Sequence, residues 1–454
     1  MALGVTEMKL RKLKAAAAMG SLTATVALLA GMTGAHAQGA PGAGSYPGSF
    51  LIPGTNTSFS VGGYVKLDYF YDFTTAGGTV GGLTGGVGIP LDAAYGHAAT
   101  AGHGIHGISQ MTASESRFNI QTRTPTAYGE VKTFIEGDFT NPSGLTNGAT
   151  FQNQSNSSGF RLRQAYGTIG PFLAGQTFDA FRDLNAEPEN LDFGGENVGG
   201  ENRQPQIRYT YDTGIGLALV GAVENPNVNY VDATAGGATG SFGTGASGIN
   251  ANKIPDFVLA GVFTQPWGHV ALRGVFRDLY DHQFGSNGVG SASNVNTSTS
   301  AFGYGLGLGA SFNTFGKDSV VGQIWGGDGM GRYLSPNCSQ SGCPDMYVNN
   351  TGTGSAQTVS GWGVMGGYQH WWADNLRSTI SGSYIEFEND SGFVSASSVF
   401  TTLNKHYITS HVNLIWSPVP SMDTGGEFIF TERETESGQT GNQMRFQYSA
   451  KWKF

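Results

Sequence analysis

The last eleven residues of the chain alternate without a break. Met444, Phe446, Tyr448, Ala450, Trp452 and Phe454 take one parity, and Arg445, Gln447, Ser449, Lys451 and Lys453 take the other. A strand puts successive side chains on opposite faces, whereas a helix repeats every 3.6 residues. A run of about 9–11 residues is also the length of one tilted strand across a bilayer. The apolar set would then meet lipid and the polar set a wet interior, although the edge of a soluble sandwich carries the same pattern.

The alternation recurs upstream. Phe59, Val61, Val65, Leu67, Tyr69, Tyr71 and Phe73 oppose Ser58, Ser60, Tyr64, Lys66, Asp68, Phe70 and Asp72. Arg117, Asn119, Gln121 and Arg123 oppose Phe118, Ile120 and Thr122, and Glu130, Lys132, Glu136 and Asp138 oppose Val131, Thr133, Ile135 and Phe139. Extended to the whole chain, the reading gives sixteen strands. They are expected near 58–73, 112–124, 127–140, 160–169, 172–180, 205–212, 215–225 and 256–265, then 269–280, 302–314, 318–326, 360–372, 376–388, 405–416, 423–433 and 442–454. The connections sort by length. Thr124 to Thr126, Gly170-Pro171, Thr213-Gly214, Pro266 to Gly268, Phe315 to Lys317, Ala373-Asp374 and Ser417 to Met422 are short, and those between them are mostly long. An even strand count with short turns at one end and long loops at the other belongs to a transmembrane barrel. The expected fold is therefore all-β, a sixteen-stranded antiparallel transmembrane barrel over 58–454.

The N-terminus agrees. Lys9, Arg11, Lys12 and Lys14 precede an apolar stretch ending in Ala35-His36-Ala37, which reads as a cleaved secretory signal over 1–37. Residues 38–57 are expected to be a flexible lead-in. No later run of 18 apolar residues is present, so a membrane would be crossed by strands. Removing the four bases and one acid of residues 1–37 leaves 20 bases and 32 acids, a net charge of −12. That balance excludes nucleic acid as the partner.

Catalytic and metal-binding constellations are weak, and no cofactor or enzyme activity is expected. Gly303, Gly305, Gly307 and Gly309 recur at period two, which is a strand with one bare face rather than a phosphate loop. Such a face lets something approach closely, a neighbouring subunit being one candidate, or marks a strand with little packing. His97, His103 and His106 lie in a Gly-rich loop and are read as solvated. Cys338 and Cys343, in a secreted chain, are expected to form a disulfide rather than hold metal.

Parity assigns the charges. Lys66, Arg117, Arg123, Lys132, Arg208, Arg273 and Arg277 are expected in the lumen, with Arg161 and Arg163 beside them although Gln164 breaks the alternation. On the lipid face each would cost about 2–4 kcal/mol at the midplane. Guanidinium forks bind carboxylates, so a row of them offers an anion several weak stops.

Several blocks together resemble the DcaP-like porins. They run from Ser49 to Thr57 and Gly62 to Asp68, then Ser116 to Asn119 and Gly129 to Phe139. Further ones are Arg163 to Gly167, Leu173 to Thr177, Pro188 to Phe193 and Arg203 to Tyr209. The resemblance covers roughly 49–225 in words and the rest in strand rhythm. It implies a homotrimeric outer-membrane porin favouring small anionic, carboxylate-bearing solutes, surrounded by membrane lipid and lipopolysaccharide. A final strand ending on an aromatic, here Phe454, is similarly typical of barrels handled by the outer-membrane assembly machinery. In porins the third long loop folds inward. Here that loop, 181–204, carries Asp183, Glu187, Glu189, Asp192, Glu196 and Glu201 and is expected to narrow the pore and face the basic wall. The chain departs from the family in lacking a coiled coil and in its loops at 74–111, 226–255 and around the cysteines. A non-selective diffusion pore and an occluded structural barrel are the alternative functions.

Overall fold

The computed structural model describes residues 42–74, 107–141, 159–196, 198–199, 202–232, 248–249, 252–286, 294–335, 343–349, 355–390, 403–438 and 440–454. The signal segment expected over 1–37, together with His97, His103, His106, Glu201 and Cys338, lies outside them.

The described residues 42–60 fall in one compact unit and those from Val61 to Phe454 in another. In the first, the short strand β1 (Phe50–Leu51) pairs antiparallel with the beginning of β2 (Ser58–Thr74), placing Phe50 opposite Phe59 with ring centroids 5.3 Å apart. Residues 42–57 of the expected lead-in therefore carry an ordered turn, closed by Gly44 N donating to Ser49 O at 3.0 Å.

From Val61 onward the strands close into one sheet. They are β3 (Ile108–Thr112), β4 (Arg117–Thr126), β5 (Gly129–Asn141), β6 (Gly159–Ile169), β7 (Phe172–Phe178), β8 (Arg203–Asp212) and β9 (Leu217–Glu224). Two short strands follow, β10 (Tyr230–Asp232) and β11 (Gly248–Ile249), and then β12 (Asp256–Gln265), β13 (Gly268–Ser286), β14 (Asn294–Asn313) and β15 (Ser319–Asp328). A four-residue helix α1 (Gly331–Leu334), β16 (Met346–Asn349) and β17 (Ser355–Thr358) precede β18 (Ser360–Ala373), β19 (Leu376–Glu388), β20 (Asn404–Val419), β21 (Met422–Thr435) and β22 (Thr440–Lys453). Each stave pairs antiparallel with the next, β9 with β12 and β15 with β18, and β22 returns to β2 with Asp68 opposite Ser449 and Asp72 opposite Arg445. With β3 and β4 as halves of one stave, this is a closed sixteen-stranded antiparallel barrel. The seven turns at one end span two to five residues.

Alternation sorts the side chains as the period predicts. Val65, Leu67, Ile207, Leu259, Leu306, Met444 and Trp452 are exposed outward, while Lys66, Asp68, Gln447 and Ser449 are buried inward.

Three departures from expectation have physical causes. The second stave is broken at 113–116, where Ser116 N turns back to Ala113 O at 3.0 Å and Ser116 Oγ accepts from Lys66 N at 3.1 Å. The turn delivers Glu115 to the Lys66 ammonium. β13 and β14 run beyond their expected ends, their ladder continuing from Asp278 opposite Phe302 to Ser286 opposite Asn294. The apolar alternation ends earlier, where both faces need only meet water, and hydrogen bonding does not need that signal. Finally, β10, β16 and β17 make a separate three-stranded sheet with a parallel β10–β16 pair, packed through Val228, Leu279, Met346 and Val348.

Candidate functional site: a half-filled lumen and its basic wall

The described residues of the connection from β7 to β8, 179–196, 198–199 and 202, fold into the barrel. Its acids stitch it to one side of the wall. Asp183 Oδ2 is 2.7 Å from His269 Nε2, and Asp183 Oδ1 is 3.2 Å from Arg273 Nη2. Arg377 grips Glu189 with both Nε and Nη2 at 2.6 Å, a bidentate fork, and Gln369 Nε2 donates to the same carboxylate at 2.7 Å. Glu427 accepts from the backbone N–H of Leu191 at 2.8 Å and of Asp192 at 3.0 Å. The Leu191 carbonyl accepts from Lys66 Nζ and from Gln447 Nε2, each at 2.9 Å. Glu187 pairs with Arg182 within the loop.

Glycines make the room. A Cβ on Gly307 would meet Phe181 Cζ at 3.3 Å, one on Gly309 would collide with the Asp183 carboxylate, and one on Gly305 would meet Met330 Sδ at 2.5 Å. On β18, a Cβ on Gly363 would reach Val198 at 2.9 Å and one on Gly367 would reach Pro188 at 3.0 Å. The bare face of β14 thus accepts the protein's own loops, which answers the sequence-level question of what approaches it.

Behind the loop the lumen holds a packed apolar core. Phe181 and Val198 from the loop, and Met330, Tyr333 and Leu334 at α1, lie buried against Val258, Val275, Trp325, Met365, Ile385 and Tyr407 of the wall. Gly199 N donates to Leu334 O at 2.7 Å, joining the two inserted segments. Arg277 ties the upper one down. Its Nε reaches Asp256 Oδ2 at 3.2 Å, its Nη1 reaches Gly329 O at 2.6 Å and Asp345 Oδ1 at 2.5 Å, and its Nη2 reaches Asn227 O at 2.5 Å.

The other side of the lumen, β4 to β8, is basic. Arg117, Arg123, Lys132, Arg161, Arg163 and Arg208 stand there with Glu130, Glu136 and Asp138, and Asp212 lies at the end of β8 beside its turn: six cations against four carboxylates. Arg161 chelates Asp138 at 3.0 and 2.8 Å, and Arg163 bridges Glu136 at 3.2 Å and Asp138 at 2.8 Å. Arg117 approaches Glu136 only to 3.6 Å and leaves its Nε without a protein partner. Arg123 and Lys132 share Glu130 at 3.9 and 3.4 Å. The Arg208 side chain makes no ion pair or hydrogen bond among the described residues. Solvent reaches this wall: the side chains of Arg161 and Lys132 are 31 % and 46 % exposed, against 0 % for Arg277. The loop meets the wall with Phe193, whose ring lies 5.2–6.0 Å from the guanidinium carbons of Arg117, Arg161 and Arg163.

The nine cations expected in the lumen therefore divide by role. Lys66, Arg273 and Arg277 hold inserted segments, Arg161 and Arg163 are carboxylate-paired, Arg123 lies beside Glu130, and Arg117, Lys132 and Arg208 are the least tightly ion-paired among the described residues. The loop's Asp183 and Glu189 pair with the far wall and do not face the basic one, because His269, Arg273 and Arg377 lie closer to the loop's path. Arg377 was missed in sequence, although it shares inward parity with Thr379, Ser381 and Ser383, all buried. Cys343 is buried and without a disulfide partner among the described residues, its Sγ accepting from Asn404 Nδ2 at 3.4 Å; Cys338, its expected partner, lies outside them.

Asp179, at the loop's root, is buried, and burial first and the neighbouring Glu224 carboxylate second push its acidity well below that of an ordinary carboxyl. The folded group then keeps its proton to higher pH than the unfolded one, so stability falls as pH rises between the two pKa values. Asp179→Asn is expected to leave the melting temperature near unchanged at pH 4 and to raise it at pH 8; an equal shift at both pH values would refute this.

A model of the DcaP outer membrane protein family matches residues 51–454. In structure the chain is similar to the outer membrane channel DcaP of Acinetobacter baumannii, with TM-score 0.68 and 21 % identity over 91 % of this chain and 100 % of that one. It is also similar to OprB of Pseudomonas putida, with TM-score 0.50 and 8 % identity over 87 % and 94 %. No curated protein matches by sequence. The solved structures speak for the fold, and the family rests on the match along nearly the whole barrel: the chain belongs to the DcaP outer membrane protein family, among the porin-like channels of the outer membrane.

Proposed function

We propose that the chain is a passive channel for small hydrophilic solutes that favours anionic, carboxylate-bearing molecules, working as a homotrimer and performing no catalysis. One observation carries the reading. The packed core and the latched loop occupy the side of the lumen toward β12–β21, and the solvent-reached charge lies on β4–β8, where cations outnumber carboxylates. A carboxylate moving along that wall exchanges water for Arg117, Arg208, Arg123 and Lys132 in turn, with Phe193 opposite as an apolar guide. Arg117, Arg208 and Lys132 are not held in a close bidentate ion pair, so each can bind weakly and release.

The test is the reversal potential of the purified protein in a planar bilayer under a tenfold salt gradient. An anion-selective potential is expected, reduced toward zero in the Arg117→Ala and Arg208→Ala double variant. A cation-selective potential in the wild type would overturn the selectivity and leave a channel of another preference. Absence of conductance would favour the occluded barrel, to which the aromatic core of Phe181, Trp325 and Tyr333 lends itself.

A further inference from the structure

A second polar cavity opens at the long-loop end of the barrel, away from the basic wall of the lumen. It has a volume of about 720 Å3 and lies where β8 begins, β9 ends and β12 begins. Arg203, Lys253 and Arg332 line it with Asn202, Asn225 and Asn252, and no carboxylate is among its described lining residues. A pocket of this size suits a small ligand.

Its position narrows the ligand. Arg203 and Pro205 share parity with Ile207 and Tyr209, and below the cleft on the same three strands Ile207, Tyr209, Val223, Phe257 and Leu259 are exposed outward. That apolar face is the lipid-contacting band of an outer-membrane barrel, and the cleft lies beyond it on the long-loop side, where a headgroup layer would begin.

Its chemistry narrows it further. Lys253 lies over the Tyr280 ring at 3.8 Å and forms no ion pair among the described residues. Arg332 is fixed by Asp256 Oδ2 at 2.6 Å and Asn225 O at 3.2 Å and forms a rigid inner wall. Asn252 donates to Pro226 O at 3.2 Å, while its Oδ1 is buried without a partner. A buried acceptor left open is costly unless a ligand or water donates to it. Unneutralised ammonium beside an open acceptor and further amides matches a phosphate next to hydroxyls.

We propose that this cleft binds the phosphorylated sugar headgroup of an outer-leaflet glycolipid. The phosphate lies against Lys253 and Arg203, and a sugar hydroxyl donates to Asn252 Oδ1. This rests on the outer-membrane placement and not on the solute selectivity proposed above.

The test counts lipids retained by the full-length protein in native mass spectrometry after exchange with a hexa-acylated lipid A carrying both phosphates. Lys253→Glu is expected to weaken retention at least tenfold and Lys253→Arg to preserve it, with single-channel conductance unchanged in both. Asn252→Ala, which removes no charge, is expected to weaken retention by a smaller factor. Equal retention by wild type and Lys253→Glu would overturn the proposal. So would equal retention of lipid A lacking its phosphates. Displacement of lipid A by free glucosamine 1-phosphate at matched concentration would also overturn it, by making the site one for a soluble sugar phosphate.

Discussion

Arg277→Ala is expected to destabilise the protein by about 3–5 kcal/mol, the usual cost of breaking a buried ion pair from one side. The magnitude follows from what remains. Among the described residues, the fully buried Asp345 would keep only the backbone N–H groups of Asn229 and Arg332, and Asp256 only Arg332 and Tyr333. The Gly329 and Asn227 carbonyls would lose a donor as well. These groups anchor the segment between β15 and β18, so the loss would be local before it is global. Urea unfolding should shift to lower concentration, and protease should cut within 329–349 while the staves persist. Arg277→Lys should recover little, because one ammonium cannot span Asp256, Asp345 and two carbonyls. An unchanged unfolding midpoint with an uncut segment would show that Arg277 is not the anchor.

Gly309→Leu is expected to unseat the Asp183 end of the inserted loop. The added Cβ alone collides with the Asp183 carboxylate, and the rest of the side chain has no space on that face. Overpacking costs about 1–3 kcal/mol, and here it also separates Asp183 from His269 and Arg273. That cost would shift the seated fraction of the segment around Asp183 about five- to hundredfold, while the fastenings at Glu189, Leu191 and Asp192 remain. Conductance should rise and become noisy, and the segment around Asp183 should become cleavable. Gly221→Ala, where the nearest atom lies 3.8 Å from the new Cβ, should change nothing. Wild-type conductance in Gly309→Leu would mean that the loop is seated by other contacts alone.

The staves were legible because period two survives along them. Asp256–Gln265 and Leu376–Glu388 match the expected ranges end for end. Parity proposes which cations turn inward, and of these Lys66 and Arg277 are buried. It could not say which cations would meet a carboxylate, since that depends on strands and loops far apart in sequence: Glu189 and Arg377 are 188 residues apart. The break at Ala113–Ser116 was invisible because those small residues read equally well as strand. The glycines of β14 announced a close approach, but not its direction.

The Leu191 carbonyl accepts from Lys66 on the first stave and from Gln447 on the last. These are the two edges that must find each other when the sheet closes. A slip of one residue between them would turn Gln447 to the lipid side, and a slip of two would carry it about 7 Å along the strand. Either error leaves the carbonyl short of a donor and the loop short of a fastening. The loop's double fastening at Leu191 thus exists only in the register in which the first and last strands are aligned as they stand.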